Sequence, residues 1–351
     1  MPPVKSELCI EKGGMMNKIT MLQNPSVIRR VFTSSALERL SAMAGELAVP
    51  SEPLGETPEA AEHFIRNADV VITSWASPAL SQNLLDLAPN LKLVLHAAGS
   101  VKPIITDALW ERRIPVISAA SVLSRGVAET ALGLTIMTLK NVWEVTAQTR
   151  AGNWWNNRAD EVREHIREMY GVTIGVIGAG QAGRHYMELL RHFRVNILLY
   201  DPTVSVQEAA ALGAQSVSLE QLMESSDVVM VLAPEIPQTY HMINEERLFM
   251  MKDDAVLINL ARGSLVDEDA LGKRLESGKL KVILDVTEPE PPPADHWLRK
   301  HPNVMLTGHI AGAVNNGLLS IGDFTVDELQ RFYAGERLIG EIDPTRLHML
   351  A

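Results

Sequence analysis

The sequence predicts an α/β protein built as two doubly wound domains, and three observations carry that reading. At 351 residues the chain is longer than the roughly 250–300 residues at which a single hydrophobic core stops growing. A hydrophobic fraction of 46% with 21% charged residues belongs to a packed globular chain, not a disordered one. Short apolar runs alternate with helical segments, and the alternation runs twice, which is the pattern of βαβ units and parallel sheets.

The first series extends from Lys18 to about Pro115 and includes the apolar runs Asp69–Thr73 (DVVIT) and Leu91–Leu95 (LKLVL). Ser124–Ala151 has apolar residues at helical spacing and no Gly or Pro after Gly133, so it predicts one long helix. Six short strands follow, at Val172–Ile177, Asn196–Tyr200, Val228–Leu232, Ala255–Asn259, Val282–Asp285 and Val304–Thr307, in the rhythm of a doubly wound sheet. Asn315–Tyr333 is again helical in pattern. Because the strands of the second series are complete by then, this tail is expected to cross back to the first domain. The expected boundaries are 17–122 with 314–351 for one domain and 123–313 for the other. Two such crossovers would form a hinge and a cleft between domains, where small-molecule sites are common. Residues 1–16 (MPPVKSELCIEKGGMM) show no period and read as a loose extension or a mis-assigned start, with no function given to them.

A formal net charge of -11 without a run of Lys and Arg gives no general attraction to nucleic acid or an anionic membrane. The single cysteine, Cys9, excludes an intramolecular disulfide and a thiolate metal cage, and fits a reducing, cytoplasmic setting. The sequence has no uninterrupted apolar stretch of roughly 18–20 residues and no apolar signal core at its start. Its histidines are scattered without metal-ligand spacing, so no metal is expected. Small-molecule partners remain.

The sharpest local signal is Gly178-Ala-Gly180-Gln181-Ala182-Gly183, directly after the strand VTIGVI and at the start of a helical pattern. In a dinucleotide site the first glycine allows the tight turn, the second admits the pyrophosphate to the backbone, and the third lets helix and strand pack closely. The helix N-terminus then offers free N–H groups to the phosphate. The next strand ends at Tyr200-Asp201-Pro202, placing a carboxylate 18 residues beyond Gly183, where it can accept hydrogen bonds from a ribose. It would repel the extra phosphate of NADP, and no Arg or Lys follows at once, so NAD is favoured.

Three downstream segments end strands or begin the loops after them: Asn259-Leu-Ala261-Arg262-Gly263-Ser-Leu-Val-Asp267-Glu268, Asp285-Val-Thr-Glu-Pro-Glu290-Pro, and Thr307-Gly-His309-Ile-Ala-Gly312. In the order and spacing of these motifs, over about residues 65–335, the chain resembles the D-isomer-specific 2-hydroxyacid dehydrogenase family. The resemblance implies a flavodoxin-like substrate domain with an NAD-binding Rossmann domain, and exchange between a D-2-hydroxy acid and its 2-keto acid. It implies that Arg262 binds substrate carboxylate and keto oxygen, which suits a planar guanidinium with two parallel N–H donors. It implies His309 as acid/base and Glu290 as the residue that orients it, although Glu288, two residues away, leaves the choice of carboxylate open. A ketone reduced by hydride needs a proton on its oxygen, and a nearby carboxylate favours the protonated imidazole that gives it. Implied cofactor contacts also come from Gln181, Ala182, Pro202, Ala233, Pro234, Ala261, Asp285 and Gly312, with Asp285 equally able simply to end its strand.

In the first series, Ala98, Gly99 and Ser100 resemble the loop whose backbone N–H groups receive the substrate carboxylate. Lys102 departs from the family's usual acidic or amide residue, and either attracts a second negative charge or points to solvent. Leu232 stands near where many members carry His or Cys. Trp143, Trp154 and Trp155 resemble the family's dimerising segment, which implies a homodimer, and clustered tryptophans are equally ordinary core residues. Formate dehydrogenases share the fold but carry glutamine at the position of His309, which disfavours that chemistry. The alternative of another class is an NADH-sensing binding protein like the C-terminal-binding corepressors. No further regulatory domain is expected after Ala351, and the particular 2-hydroxy acid is not legible.

Overall fold

The computed structural model describes residues 17–54 and 58–349. Residues 1–16, with Cys9 and the extension expected there, lie outside the described residues. The chain divides into two compact units. One takes the residues up to Ala97, Val101–Ile117 and Gly322–Glu341; the other takes Ala98–Ser100, Ser118–Ile321 and the residues from Ile342 on. This division differs from the expected boundaries in assigning 98–100, 118–122, 314–321 and the segment after Glu341 to the second unit.

Among the described residues the first unit is built on five strands: β1 (Lys18–Leu22), β2 (Glu46–Ala48), β3 (Val70–Thr73), β4 (Leu93–His96) and β5 (Val116–Ser118). Their order is β2-β1-β3-β4-β5, the flavodoxin-like arrangement. Every residue of β3 and β4 is buried, as befits parallel strands covered on both faces. The helix Asn316–Ala334 begins in the second unit and enters the first at Gly322. There Gly322 packs so closely on the chain that a Cβ would stand 2.2 Å from the Val31 carbonyl oxygen.

The second unit carries seven strands: β6 (Tyr170–Ile177), β7 (Arg194–Tyr200), β8 (Gln215–Ser216), β9 (Val228–Val231), β10 (Val256–Asn259), β11 (Lys281–Leu284) and β12 (Val304–Leu306). The order β12-β11-β10-β9-β6-β7-β8 is that of the Rossmann sheet with one strand added at the end. The strand beyond that order is β12; the expected six strands are all present, and β8, only two residues long, is the one the sequence did not predict. All the ladders between neighbouring strands of this sheet are parallel. The strand ends after β6, β7, β9, β10, β11 and β12 therefore lie along one edge, and the glycine turn, Asp201 and the segments beginning at Asn259, Asp285 and Thr307 fall there.

The single helix expected over 124–151 is two helices, Ala120–Leu139 and Val142–Arg150. They break at Asn141, whose φ of 51° is left-handed, a conformation Asn tolerates better than most residues. Its amide is held from two sides, with Oδ1 accepting from Lys281 Nζ at 2.9 Å and Nδ2 donating to Glu144 at 3.2 Å. The helix Ala120–Leu139 is also long and apolar enough, by length and composition, to cross a membrane, which an uninterrupted-run test misses because Arg125 and Glu129 interrupt it. In this fold its Ala128, Ala131 and Leu139 belong to the core formed with Tyr186, Met187 and Leu190. Burial pushes the Tyr186 phenol far above its ordinary value, and its hydroxyl shares a 2.7 Å hydrogen bond with Thr135. Trp154 and Trp155 are exposed, with the Arg163 guanidinium 4.7 Å over the Trp155 ring, so these two are not core residues.

Candidate active site

The turn after β6 is shaped by what its glycines lack. Gly178 has φ 98°, and a Cβ on it would meet the Ala233 backbone at 2.7 Å, so the first glycine and Ala233 are in direct contact. A Cβ on Gly183 would stand 2.1 Å from the Gly178 carbonyl oxygen, which is why the helix Gln181–Leu190 can start so close to the strand. Gly180 is different, because no atom lies within 4 Å of where its Cβ would be. It caps the helix without any side-chain hydrogen bond, and exposed Gln181 and half-buried Ala182 follow it. An open cradle over an uncapped ten-residue helix N-terminus fits a pyrophosphate.

Asp201 follows the next strand and accepts from the Ala179 N–H at 2.7 Å, so this carboxylate and the glycine turn are physically joined. Its second oxygen accepts from the Thr203 N–H at 2.8 Å and hydroxyl at 2.7 Å, and Pro202 is exposed beside it. After β9, Pro234 is half-buried and its carbonyl accepts from the Thr239 hydroxyl at 2.7 Å.

The loop after β10 is governed by Asn259, which is buried. Its Oδ1 accepts from the Ala261 N–H at 3.0 Å and its Nδ2 donates to the Arg262 carbonyl at 2.8 Å. A single amide thus fixes the backbone on both sides of Arg262. The half-buried Arg262 side chain donates Nη1–H to the Ala261 carbonyl at 2.7 Å.

His309 sits in the loop after β12 with φ 60°, a region uncommon for non-glycine residues and over-represented at functional sites. Its Nδ1–H donates to Glu290 Oε1 at 2.5 Å, while Glu288 turns to the other side, its Oε2 3.7 Å from His241 Nε2. The carboxylate that the spacing left open is therefore Glu290. The loop itself hangs on Asp285, a buried residue. Asp285 Oδ1 accepts from the Thr307 hydroxyl at 2.5 Å and the Ile310 N–H at 2.8 Å, Oδ2 accepts from the Ala311 N–H at 3.0 Å, and its backbone carbonyl accepts from the His309 N–H at 2.7 Å. Asp285 does more than end its strand, because its side chain holds the Thr307 hydroxyl before His309 and two backbone N–H groups after it. Gly312 continues that loop against the first helix of the unit, where a Cβ on Gly126 would meet its carbonyl carbon at 3.4 Å.

Ala98 is buried, with Gly99 and Ser100 half-buried, and the Ser118 hydroxyl donates to the Gly99 carbonyl at 2.6 Å. Lys102 belongs to the first unit and is exposed. Sequence reasoning assigned no task to Asn259, Thr307 or Ser118. Each is a short polar residue at or beside a strand end, the kind that satisfies nearby backbone groups in place of regular pairing, and that is the signal by which they could have been found. Among the described residues no group of three or more His, Cys, Asp or Glu is arranged to hold a metal ion.

Residues 132–311 match the family model described as the D-isomer specific 2-hydroxyacid dehydrogenase, NAD binding domain. The chain is 31% identical over 284 residues to a D-3-phosphoglycerate dehydrogenase of Methanocaldococcus jannaschii, covering 80% of this chain and 53% of that protein. It is 33% identical over 278 residues to a glyoxylate reductase of Pyrococcus horikoshii, covering 78% of this chain and 82% of the relative. The chain thus spans about half the length of the phosphoglycerate dehydrogenases it matches. Its fold superposes on an NAD-dependent formate dehydrogenase from Staphylococcus aureus in complex with NAD, with a TM-score of 0.65, 29% identity, and coverage of 92% of this chain and 96% of that one. The chain belongs to the D-isomer specific 2-hydroxyacid dehydrogenase family, and its second unit carries that family's NAD binding domain.

Proposed function

We propose that the protein is an NAD-dependent dehydrogenase interconverting a small D-2-hydroxy acid and its 2-keto acid. The observation that carries this reading is the pair Glu290–His309, 2.5 Å apart, in the unit that also holds the open cradle at Gly180. The bound cofactor would supply the hydride chemistry, NADH as donor to the keto carbon in reduction and NAD+ as acceptor from the hydroxy-bearing carbon in oxidation. With Nδ1 committed to Glu290, His309 keeps Nε2 for the substrate oxygen, delivering a proton during reduction and removing one during oxidation. Arg262 grips the carboxylate, which takes two of the five N–H donors of a guanidinium, on a backbone that Asn259 holds still. The N–H groups of the Ala98–Ser100 loop are the second anchor for that carboxylate. Gly180 and the N-terminus of the Gln181–Leu190 helix hold the pyrophosphate, and the negative Asp201 favours NAD over NADP. Relatives named for phosphoglycerate and glyoxylate support a small acid as substrate, and exposed Trp154 and Trp155 support assembly as a homodimer.

The test is NADH oxidation over a panel of 2-keto acids including glyoxylate, hydroxypyruvate and phosphohydroxypyruvate, with an NADPH control and a His309→Asn variant. Wild type should turn over at least one acid with NADH, and the variant should lose about 10²–10⁴-fold in rate with NADH binding intact. A protein that binds NADH yet reduces no acid on the panel would instead be the NADH-sensing binding protein.

A further inference from the structure

Glu268 stands apart from the residues that would touch substrate or cofactor, yet its carboxylate reaches into the loop that carries Glu290. Its Oε1 accepts the N–H of Glu288 at 2.9 Å, and its side chain is only 11% exposed. The other side of the same peptide is closed by Gly263, where a Cβ would stand 2.1 Å from the Thr287 carbonyl carbon and 2.6 Å from the Glu288 nitrogen. The segment 263–268 therefore clasps the Thr287–Glu288 peptide by close packing at one end and a hydrogen bond at the other. The Thr287 hydroxyl then donates to the Pro289 carbonyl at 2.9 Å, and the next side chain along is Glu290, facing His309. Two residues separate the held amide from Glu290, at most about 7 Å of chain, so play at Glu288 is transmitted to the carboxylate.

The charged surroundings of this clasp are few. His296 Nε2 lies 3.9 Å from Glu268 Oε2, while Glu288 and Asp269 bear on Glu268 as like charges. His241 lies between Glu288 and Asp267, at 3.7 and 3.9 Å. Burial holds the Glu268 carboxyl above the usual carboxylate range, partly offset by the Glu288 N–H and by His296.

We infer that Glu268 is a positioning residue for the acid–base pair: by holding the Glu288 amide it sets where the Glu290 carboxylate stands against His309, and it ties that pair to the segment beginning at Arg262. This rests on the roles proposed above for Glu290 and His309, and the test separates the two.

The NADH-bound protein is compared as wild type, Glu268→Gln, Glu268→Ala and Glu290→Gln. Glutamine keeps the acceptor for the Glu288 N–H and alanine removes it. The Nδ1–H proton resonance of His309 should persist in wild type and Glu268→Gln, and be displaced or lost in Glu268→Ala as in Glu290→Gln. In Glu268→Ala, kcat should fall between about 10-fold and 100-fold with KM for the keto acid within about threefold, and the pH profile of kcat/KM should shift in the direction it shifts in Glu290→Gln. Glu268→Gln should recover kcat to within about threefold of wild type. A Glu268→Ala protein that binds NADH and keeps the wild-type resonance and profile overturns the inference, and so does a Glu268→Gln protein as defective as the alanine variant. If alanine prevents folding, Glu268→Asp withdraws the acceptor by one methylene while keeping the charge, and it must displace the resonance; an unchanged resonance there overturns the inference. If wild type reduces no keto acid while the resonance still follows residue 268, the positioning role stands and the proposed activity falls.

Discussion

Two turns on one edge of the seven-stranded sheet are held in opposite ways. The turn at 178–183 is fixed by missing atoms: Gly178 lies against Ala233 and Gly183 against Gly178, at separations no Cβ could share. The loop at 307–311 is fixed by an added group, the Asp285 carboxylate, which accepts three hydrogen bonds from it. The difference follows from what each turn has to leave free. In the role proposed for it, the first turn must keep the N–H groups at the helix start uncommitted, so that part is held by packing and the helix has no side-chain cap, while the Ala179 N–H before it is given to Asp201. In the proton-transfer role proposed for the second, a side chain must be kept in place, so backbone N–H groups beside His309 can be spent on the buried Asp285.

The sharpest way to break this contrast is to add one methyl group at each of two glycines in the first turn. Gly183→Ala must push the helix off the strand, because the obstacle at 2.1 Å is a backbone oxygen. We expect a loss of about 2–4 kcal/mol in thermal unfolding and of about 100-fold or more in NADH affinity. Gly180→Ala meets nothing within 4 Å and its φ of −65° suits alanine, so stability should change by less than about 1 kcal/mol, while NADH affinity in a fluorescence titration still falls. An unchanged affinity would mean that the phosphate does not approach the chain at Gly180.

The second turn should respond to subtraction. Asp285→Ala leaves the Thr307 hydroxyl and the Ile310 and Ala311 N–H groups without their acceptor in a partly buried setting, which we expect to cost about 2–4 kcal/mol and most of the turnover. Thr307→Val removes one of those hydrogen bonds and should cost about 1 kcal/mol. Chemical denaturation of the two variants orders them. Equal losses would show that the carboxylate is not what holds the loop.

This division also explains what could be read from the sequence. The glycine turn was legible because its three glycines fall within six consecutive residues, even though the atoms that require the first of them belong to Ala233. The strands were legible because parallel strands such as β9, buried at every position, are continuous apolar runs. The bracing of His309 was not, since Asp285 serves a loop more than twenty residues further along. Spacing likewise could not choose between Glu290 and Glu288, which face different histidines. The helix breaks at Asn141, whose amide oxygen meets Lys281, 140 residues away, and β8 is too short for any periodicity to register.

The smallest expected effect lies between the two turns, at Glu268, where burial raises the carboxyl above its ordinary value. Below that ordinary value, folded and unfolded chains are both protonated there and the group imposes no cost. As pH rises the unfolded chain ionises first, so the folded state loses stability through the interval up to its own higher pKa and then levels off. Glutamine at 268 is neutral throughout and still offers an acceptor to Glu288. The stability of Glu268→Gln relative to wild type should therefore improve as pH rises from the carboxylate range toward neutrality and be constant above it, a trend that urea unfolding at a series of pH values would follow. A difference independent of pH would mean that the Glu268 carboxylate is as well solvated in the fold as in the unfolded chain, and that the clasp on the Glu288 amide is open to water.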